Sequence, residues 1–363
     1  MKTRRALYIL MLAAFVFDAR AQNDTVSVRS CFNCCRPDAY APAGIMTDHV
    51  HEKGEFGIAY SFMNVQMQGN MSGTTSVSDN DIFKNYMMSP AKMNMQMHML
   101  MPMYGITNKL SVMAMVSYNV NSMSMHMMPM EDMMMHMPGM NMSNYNSMPT
   151  TSRSSGLGDT KIYALYNMLK NCCHRLVLGA GVSLPTGSIM AKGTTMQSTN
   201  DVLPYNMQLG TGTYNLLPGI VYVRQRGIVS FGAALNANIK PGVNARNYCW
   251  GNEYSFSPWF TYKPLSWLSF SLRAEAYSMN ALYGWDDAIH VSSSNDPTAN
   301  YKNYGSQQRL TSFVGMNVYA PSGIFKGMRL LIEYGMPVYQ NLQGLQMPVR
   351  SGVTARLQYN FIK

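Results

Sequence analysis

The sequence predicts an all-β chain, closed into a twelve-stranded antiparallel transmembrane barrel with short periplasmic turns and long extracellular loops. Three observations predict it. The chain opens on an export signal, twelve later stretches alternate apolar and polar residues with a period of two, and the links between them alternate between short and long. A period of two marks a strand, because a helix would scatter the same residues around its circumference. An even strand number with short turns at one end and long loops at the other is the pattern of a bacterial outer-membrane barrel, with both termini at the periplasmic end.

The elements follow in order. Lys2, Arg4 and Arg5 precede an apolar run from Ala6 to Val16, and Ala19-Arg20-Ala21 offers a small-residue cleavage site, so residues 1–21 read as a signal peptide. The run is too short to span a bilayer. Residues 22–53 read as a short, irregular periplasmic segment holding CFNCC (Cys31, Cys34, Cys35), PDAYAP and DHVHEKGE. A Cys-x2-Cys spacing serves a disulfide, a metal or unpaired thiols, and all three stay open here.

Residues 54–363 form the barrel. Phe56, Ile58, Tyr60 and Phe62 share one face of the first strand, Gly54 to Met67. Met93, Met95, Met97, Met99, Met101 and Met103 alternate with Asn94, Gln96, His98 and Leu100 in the second, and after the ITNK turn Leu110 to Val120 alternates Leu, Val and Ala against Ser111, Met113, Met115, Ser117 and Asn119. Nine more follow: 161–168, 176–184, 213–224, 228–239, 253–262, 268–280, 309–319, 328–336 and 352–361. Long links are expected after Met67, Met127, Leu184, Ile239, Leu282 and Val338. Arg273, Glu275, Arg329, Glu333 and Arg356 fall on the polar faces; a charge facing lipid at mid-bilayer costs about 2–4 kcal/mol, so these should point inward.

Composition agrees. Only 13% of residues are charged, and the polar faces are mostly Ser, Gly, Asn and Tyr, where a soluble sandwich would present Lys and Glu. The net charge is +10, but no Lys/Arg cluster lies beside stacking aromatics, so nucleic acid is excluded as a partner. Outer-membrane lipid is the expected surroundings, with a periplasmic protein as a further partner.

From Gly54 to Lys363 the chain resembles bacterial outer-membrane barrels and, more loosely, the transporter family labelled phenol-degradation meta-pathway transporter-like. The entry DHVHEKGE, Asp48 to Glu55, resembles an aspartate-histidine-x-histidine lead into the first strand of such barrels. The resemblance implies a barrel transporter and says little about its cargo.

Methionine is the sharpest chemical signal. Of 37 methionines, 22 lie between Met87 and Met148, a density that a general compositional bias does not produce. Thioethers are soft, neutral donors suited to Cu(I) or Ag(I), and imidazoles extend the range to Cu(II). Copper is therefore the expected ligand of an external loop at about residues 123–155, through His126, Met127, Met130, Met133, Met135, His136 and Met137, with Glu131 and Asp132 attracting the cation. Met113 and Met115, sharing parity with serines, should look into the lumen. Met93 to Met103 should instead face lipid as unbranched filling, since Asn94, Gln96 and His98 make the other face polar. A second donor set is expected at the periplasmic end: Cys31, Cys34, Cys35, His49, His51, Cys172, Cys173 and His174. The expected function is transport or binding of a soft metal ion; the alternatives are a passive pore for small hydrophobic or polar solutes and a structural or adhesive surface protein. Asp286, His290 and Ser292 lie close in sequence, but alternation gives them no shared catalytic geometry, so no enzyme is expected.

Overall fold

The computed structural model describes residues 36–131, 150–171, 173–195, 198 and 200–361. Twelve strands run in sequence order, each antiparallel to its neighbours: β1 Phe56–Gln68, β2 Met88–Gly105, β3 Leu110–Met127, β4 Thr160–Lys170, β5 His174–Leu184, β6 Asn215–Arg226, β7 Val229–Asn238, β8 Glu253–Tyr262, β9 Leu268–Met279, β10 Gln307–Tyr319, β11 Arg329–Gln346 and β12 Val349–Phe361. β12 pairs with β1 from Phe56↔Phe361 to Met67↔Val349, which closes the barrel and removes both edges. The twelve strands coincide with the twelve alternating stretches.

Three strands outrun the sequence reading. β2 starts at Met88 and β3 continues to Met127, paired across a bulge between Pro90 and Lys92, so His126 and Met127 sit on a strand rather than in a loop. β11 runs to Gln346, and only Met347 and Pro348 separate it from β12, where a long loop was expected after Val338. The reason is common to all three. Above the bilayer an outward face needs no apolar residues, so hydropathy contrast fades while backbone pairing continues. A further short strand, Thr151–Leu157, extends the sheet on the upper part of β3.

Closure fixes which face is which. On the outside Leu100, Val116, Ile162, Leu216, Leu272 and Val314 form an exposed apolar surface, bordered by aromatic side chains such as Phe56, Tyr104, Tyr262 and Trp267. This is the lipid-facing band of an outer-membrane barrel. No described helix is long and apolar enough to cross a membrane. Arg273, Arg329, Glu333 and Arg356 are buried inside, as their alternation requires.

One face assignment is overturned. Register couples Phe56 to Tyr104 and Tyr60 to Leu100, so the even positions of β2 point outward and the methionines inward. Met93, Met99, Met101 and Met103 are accordingly buried. His98 points outward, where its Nδ1 is 2.7 Å from Tyr60 Oη. Polarity alone misjudged this strand because its lumenal side packs against other protein rather than against water.

For Met99, Met101 and Met103 that protein is the segment preceding β1. The described part of the expected periplasmic segment, residues 36–53, is threaded into the periplasmic half of the lumen. Its backbone is irregular around Pro37 and Pro42, so its carbonyls have no ladder partners and must be satisfied from the wall. Arginines do this: Arg175 donates to Ala39 O at 2.7 Å, Arg329 to Arg36 O at 2.8 Å, and Arg356 to Ile45 O at 3.0 Å and to Ala43 O. Carboxylates complete the fit. Glu333 accepts from Gly44 N at 2.8 Å while pairing with Arg273 at 2.8 Å, and Asp48 lies 3.6 Å from Arg175. Apolar contacts fill the remainder, with Ala39, Tyr40, Ala41 and Ile45 against Val221, Val223, Ala234 and Trp259. Gly105 is required where this plug leaves the lumen: a Cβ there would stand 1.9 Å from the Glu52 carbonyl oxygen.

Candidate functional site

Above the plug the lumen holds a cavity of about 500 Å³. Its two sides differ chemically. β1 to β3 present thioethers, Met67, Met93, Met95, Met97, Met99 and Met115, whereas β8 to β10 present Glu253, Tyr277, Gln307 and Arg309. Lys161, Asp159, Asn119 and Asn215 add further polar groups. Met99 and Met115 join the two lumenal regions, since they line the cavity and also pack with Met101, Met103 and Met113 against Met46 and Val50 of the plug.

The roof comes from three external connections. Tyr205, Asn206 and Gln208 belong to the link between β5 and β6, Trp250 to the link between β7 and β8, and Thr298 and Tyr304 to the link between β9 and β10. A short 3-10 turn, Tyr205–Met207, folds inward because its residues have apolar partners there. Leu203 and Met207 are fully buried with Met88, Met93, Met123 and Met125. Tyr205 makes edge contacts with Tyr248 and Tyr304 at centroid distances of 5.1 and 5.7 Å, and its Oη accepts from Asp286 N at 3.0 Å. Asp296, buried in the same cap, accepts from Thr298 N at 2.8 Å and Thr298 Oγ1 at 2.6 Å, yet burial still pushes its carboxyl up to about 6.

The residues singled out from sequence are dispersed. Met113 and Met115 point into the lumen, 1% and 7% exposed. His126 points outward at the external end of β3, where its Nδ1 meets Asp79 Oδ2 at 2.7 Å. Met127 pairs with Met88 at the end of β3, and Met130 lies just beyond, half-buried. Met133, Met135, His136 and Met137 lie outside the described residues, as do Cys31, Cys34, Cys35 and Cys172. His49 and His51 are buried in the plug, their rings 5.2 Å apart; His49 bonds Asp48 and Gln358, and His51 sits 3.2 Å from Glu55. Cys173 is exposed, and His174 faces the outside of the barrel, bonded to Tyr222 Oη at 2.7 Å. The described members of the expected periplasmic set are split by the barrel wall, because residue 174 has the outward parity of β5 while His49 and His51 lie within. Among the described residues no group of three or more His, Cys, Asp or Glu could hold a metal. Asp286 is engaged by Arg246 Nε at 2.7 Å and caps a short helix through Ala288 N at 2.9 Å.

Sequence reasoning missed the wall arginine Arg175, the plug as a lumenal element, and Asn206 in the roof. The first was legible, since Arg175 has the inward parity of β5. The sequence LPYNMQLG gives no strand alternation and no sign that it turns inward.

No protein-family model matches the chain, and no curated protein matches it. Solved structures do. An outer-membrane channel from Pseudomonas putida F1 is similar at 12% identity and a TM-score of 0.56, over 87% of this chain and 98% of that one. The Ralstonia pickettii toluene transporter TbuX matches at 11% identity and a TM-score of 0.43, over 90% and 98% of the two chains. The protein has the fold of an outer-membrane channel, and that fold sets it in the bacterial outer membrane.

Proposed function

We propose that the protein is a channel that passes a small solute, one with an apolar body and a polar group, across the outer membrane through the lumenal cavity. One observation carries the reading: a cavity of about 500 Å³, thioether-lined on one side and lined by carboxamide and charged groups on the other, lies inside a closed barrel. That volume suits a small molecule. A metal ion would leave most of it unfilled. The apolar side accommodates a hydrocarbon body without directional demands, while Gln307, Arg309 and Glu253 orient a polar end. The plug below is held by hydrogen bonds and ion pairs together with a small apolar cluster around Tyr40 and Trp259, and its release opens the path to the periplasm.

Uptake into liposomes of a small aromatic alcohol tests this. Excising residues 36–47 removes the arginine-anchored part of the plug and should raise uptake well above that of the intact chain. Equal uptake by the two, with both barrels folded, would reject the lumenal route.

A further inference from the structure

The inward faces of β1, β2 and β3 stand in rows set by register. Met63 aligns with Met97 and Asn119, and Val65 with Met95 and Asn121. The last regular row is Met67, Met93 and Met123, three thioethers side by side on three adjacent strands. Neighbours in such a row have Cβ atoms about 4.5–5.5 Å apart, close enough for three long side chains to converge on one point. Met93 and Met123 are 0% and 1% exposed, and Met67 packs against the buried cluster to which they belong. Two of the three sulfurs meet at one atom: Asn206 Nδ2 stands 3.6 Å from Met93 Sδ and 3.4 Å from Met123 Sδ. Asn206 Oδ1 is buried with no protein partner. Met67, Met93 and Asn206 all line the cavity, so the group is reached from it.

We propose that Met67, Met93 and Met123 form a binding site for a soft monovalent cation, Cu(I) or Ag(I), with the Asn206 side chain as its cover. Three neutral sulfurs match a soft cation and offer little to Zn(II), which takes nitrogen, thiolate or carboxylate ligands. Each thioether keeps a lone pair for the metal while the amide occupies another. Rotation of the Asn206 carboxamide by half a turn brings its oxygen to the sulfurs as a fourth donor. Thioethers carry no proton to lose, so binding here is independent of pH, unlike capture by imidazole or thiolate. The site goes beyond the solute reading: it is measured by binding and that reading by flux, so either fails without the other.

The test uses the full chain with its six cysteines changed to Ser, so that thiolates do not mask other donors. Ag(I) is titrated into the purified barrel in detergent at pH 5 and pH 7.5. Met67→Leu, Met93→Leu and Met123→Leu together should remove one tight Ag(I) site at both pH values. Met99→Leu, Met101→Leu and Met103→Leu, which remove as many lumenal thioethers, should leave it. Should the first triple variant not fold, Met123→Leu alone, nearly conserving volume, should weaken that site by about tenfold or more. Equal Ag(I) binding by the two triple variants, an unchanged affinity in Met123→Leu, or loss of the tight site at pH 5 would overturn the assignment.

Discussion

The lumen is occupied from both ends, and the two occupants are held by different proportions of polar and apolar contact. The periplasmic plug is an irregular backbone fixed by buried Arg175, Arg329 and Arg356 donating to its carbonyls, and by Glu333 and Asp48. The external cap is held by apolar and aromatic packing, with Leu203, Tyr205, Met207, Tyr248 and Ile289 almost fully buried. The difference shows why each wall has the residues it has. Wall arginines are supplied where irregular plug backbone must be satisfied, whereas β1 to β3 supply methionine to both occupants, against Met46 and Val50 of the plug and against Leu203 and Met207 of the cap, because a thioether covers apolar groups without a fixed shape.

Loss of a buried ion pair at the plug should be the most damaging single change. Glu333→Leu leaves buried Arg273 without its main partner and Gly44 N without an acceptor, a loss of about 3–5 kcal/mol. Hydrogen exchange should quicken across residues 39–48 while residues 203–209 keep their protection. Equal loosening of plug and cap would show that the two are not separately anchored.

A smaller effect should sharpen the apolar side. Burial raises Asp296 to about 6, above its ordinary 3.8, so the folded cap binds a proton that the opened cap releases between those values. The stabilisation is complete below about pH 4 and is lost as pH rises through 6. Protection of residues 286–300 should therefore be greater at pH 4.5 than at pH 7.5, and Asp296→Asn should flatten that dependence. A cap whose protection rises with pH would reverse the sign.

Much of the barrel was legible because alternation and lipid impose the same rule on every strand. Leu272 and Arg273 can be assigned to outside and inside from one tripeptide of context. The methionine strand was not legible in this way, since Asn94, Gln96 and His98 lie on the outer face and Met93 to Met103 on the inner one, and only pairing with Phe56 and Tyr60 decides the parity. The cavity was less visible still. Asn206 meets Met93 and Met123 across more than 80 residues of chain, through a loop whose inward course depends on what it can bury. Met113 and Met115 were placed correctly, and their neighbours Met46 and Val50 could not be named because the plug's position follows from wall arginines far away in sequence.

Solute passage through the cavity between plug and cap can be tested at the cavity wall. Met97 lines that cavity on β2, half-buried, and Met97→Trp would push an indole into it while keeping the strand apolar and paired. Uptake of the small aromatic alcohol should be measured in liposomes bearing folded wild-type or Met97→Trp barrels, each with residues 36–47 excised so that the plug does not limit the rate. Uptake should fall markedly in the tryptophan variant; equal rates would rule out passage through the cavity.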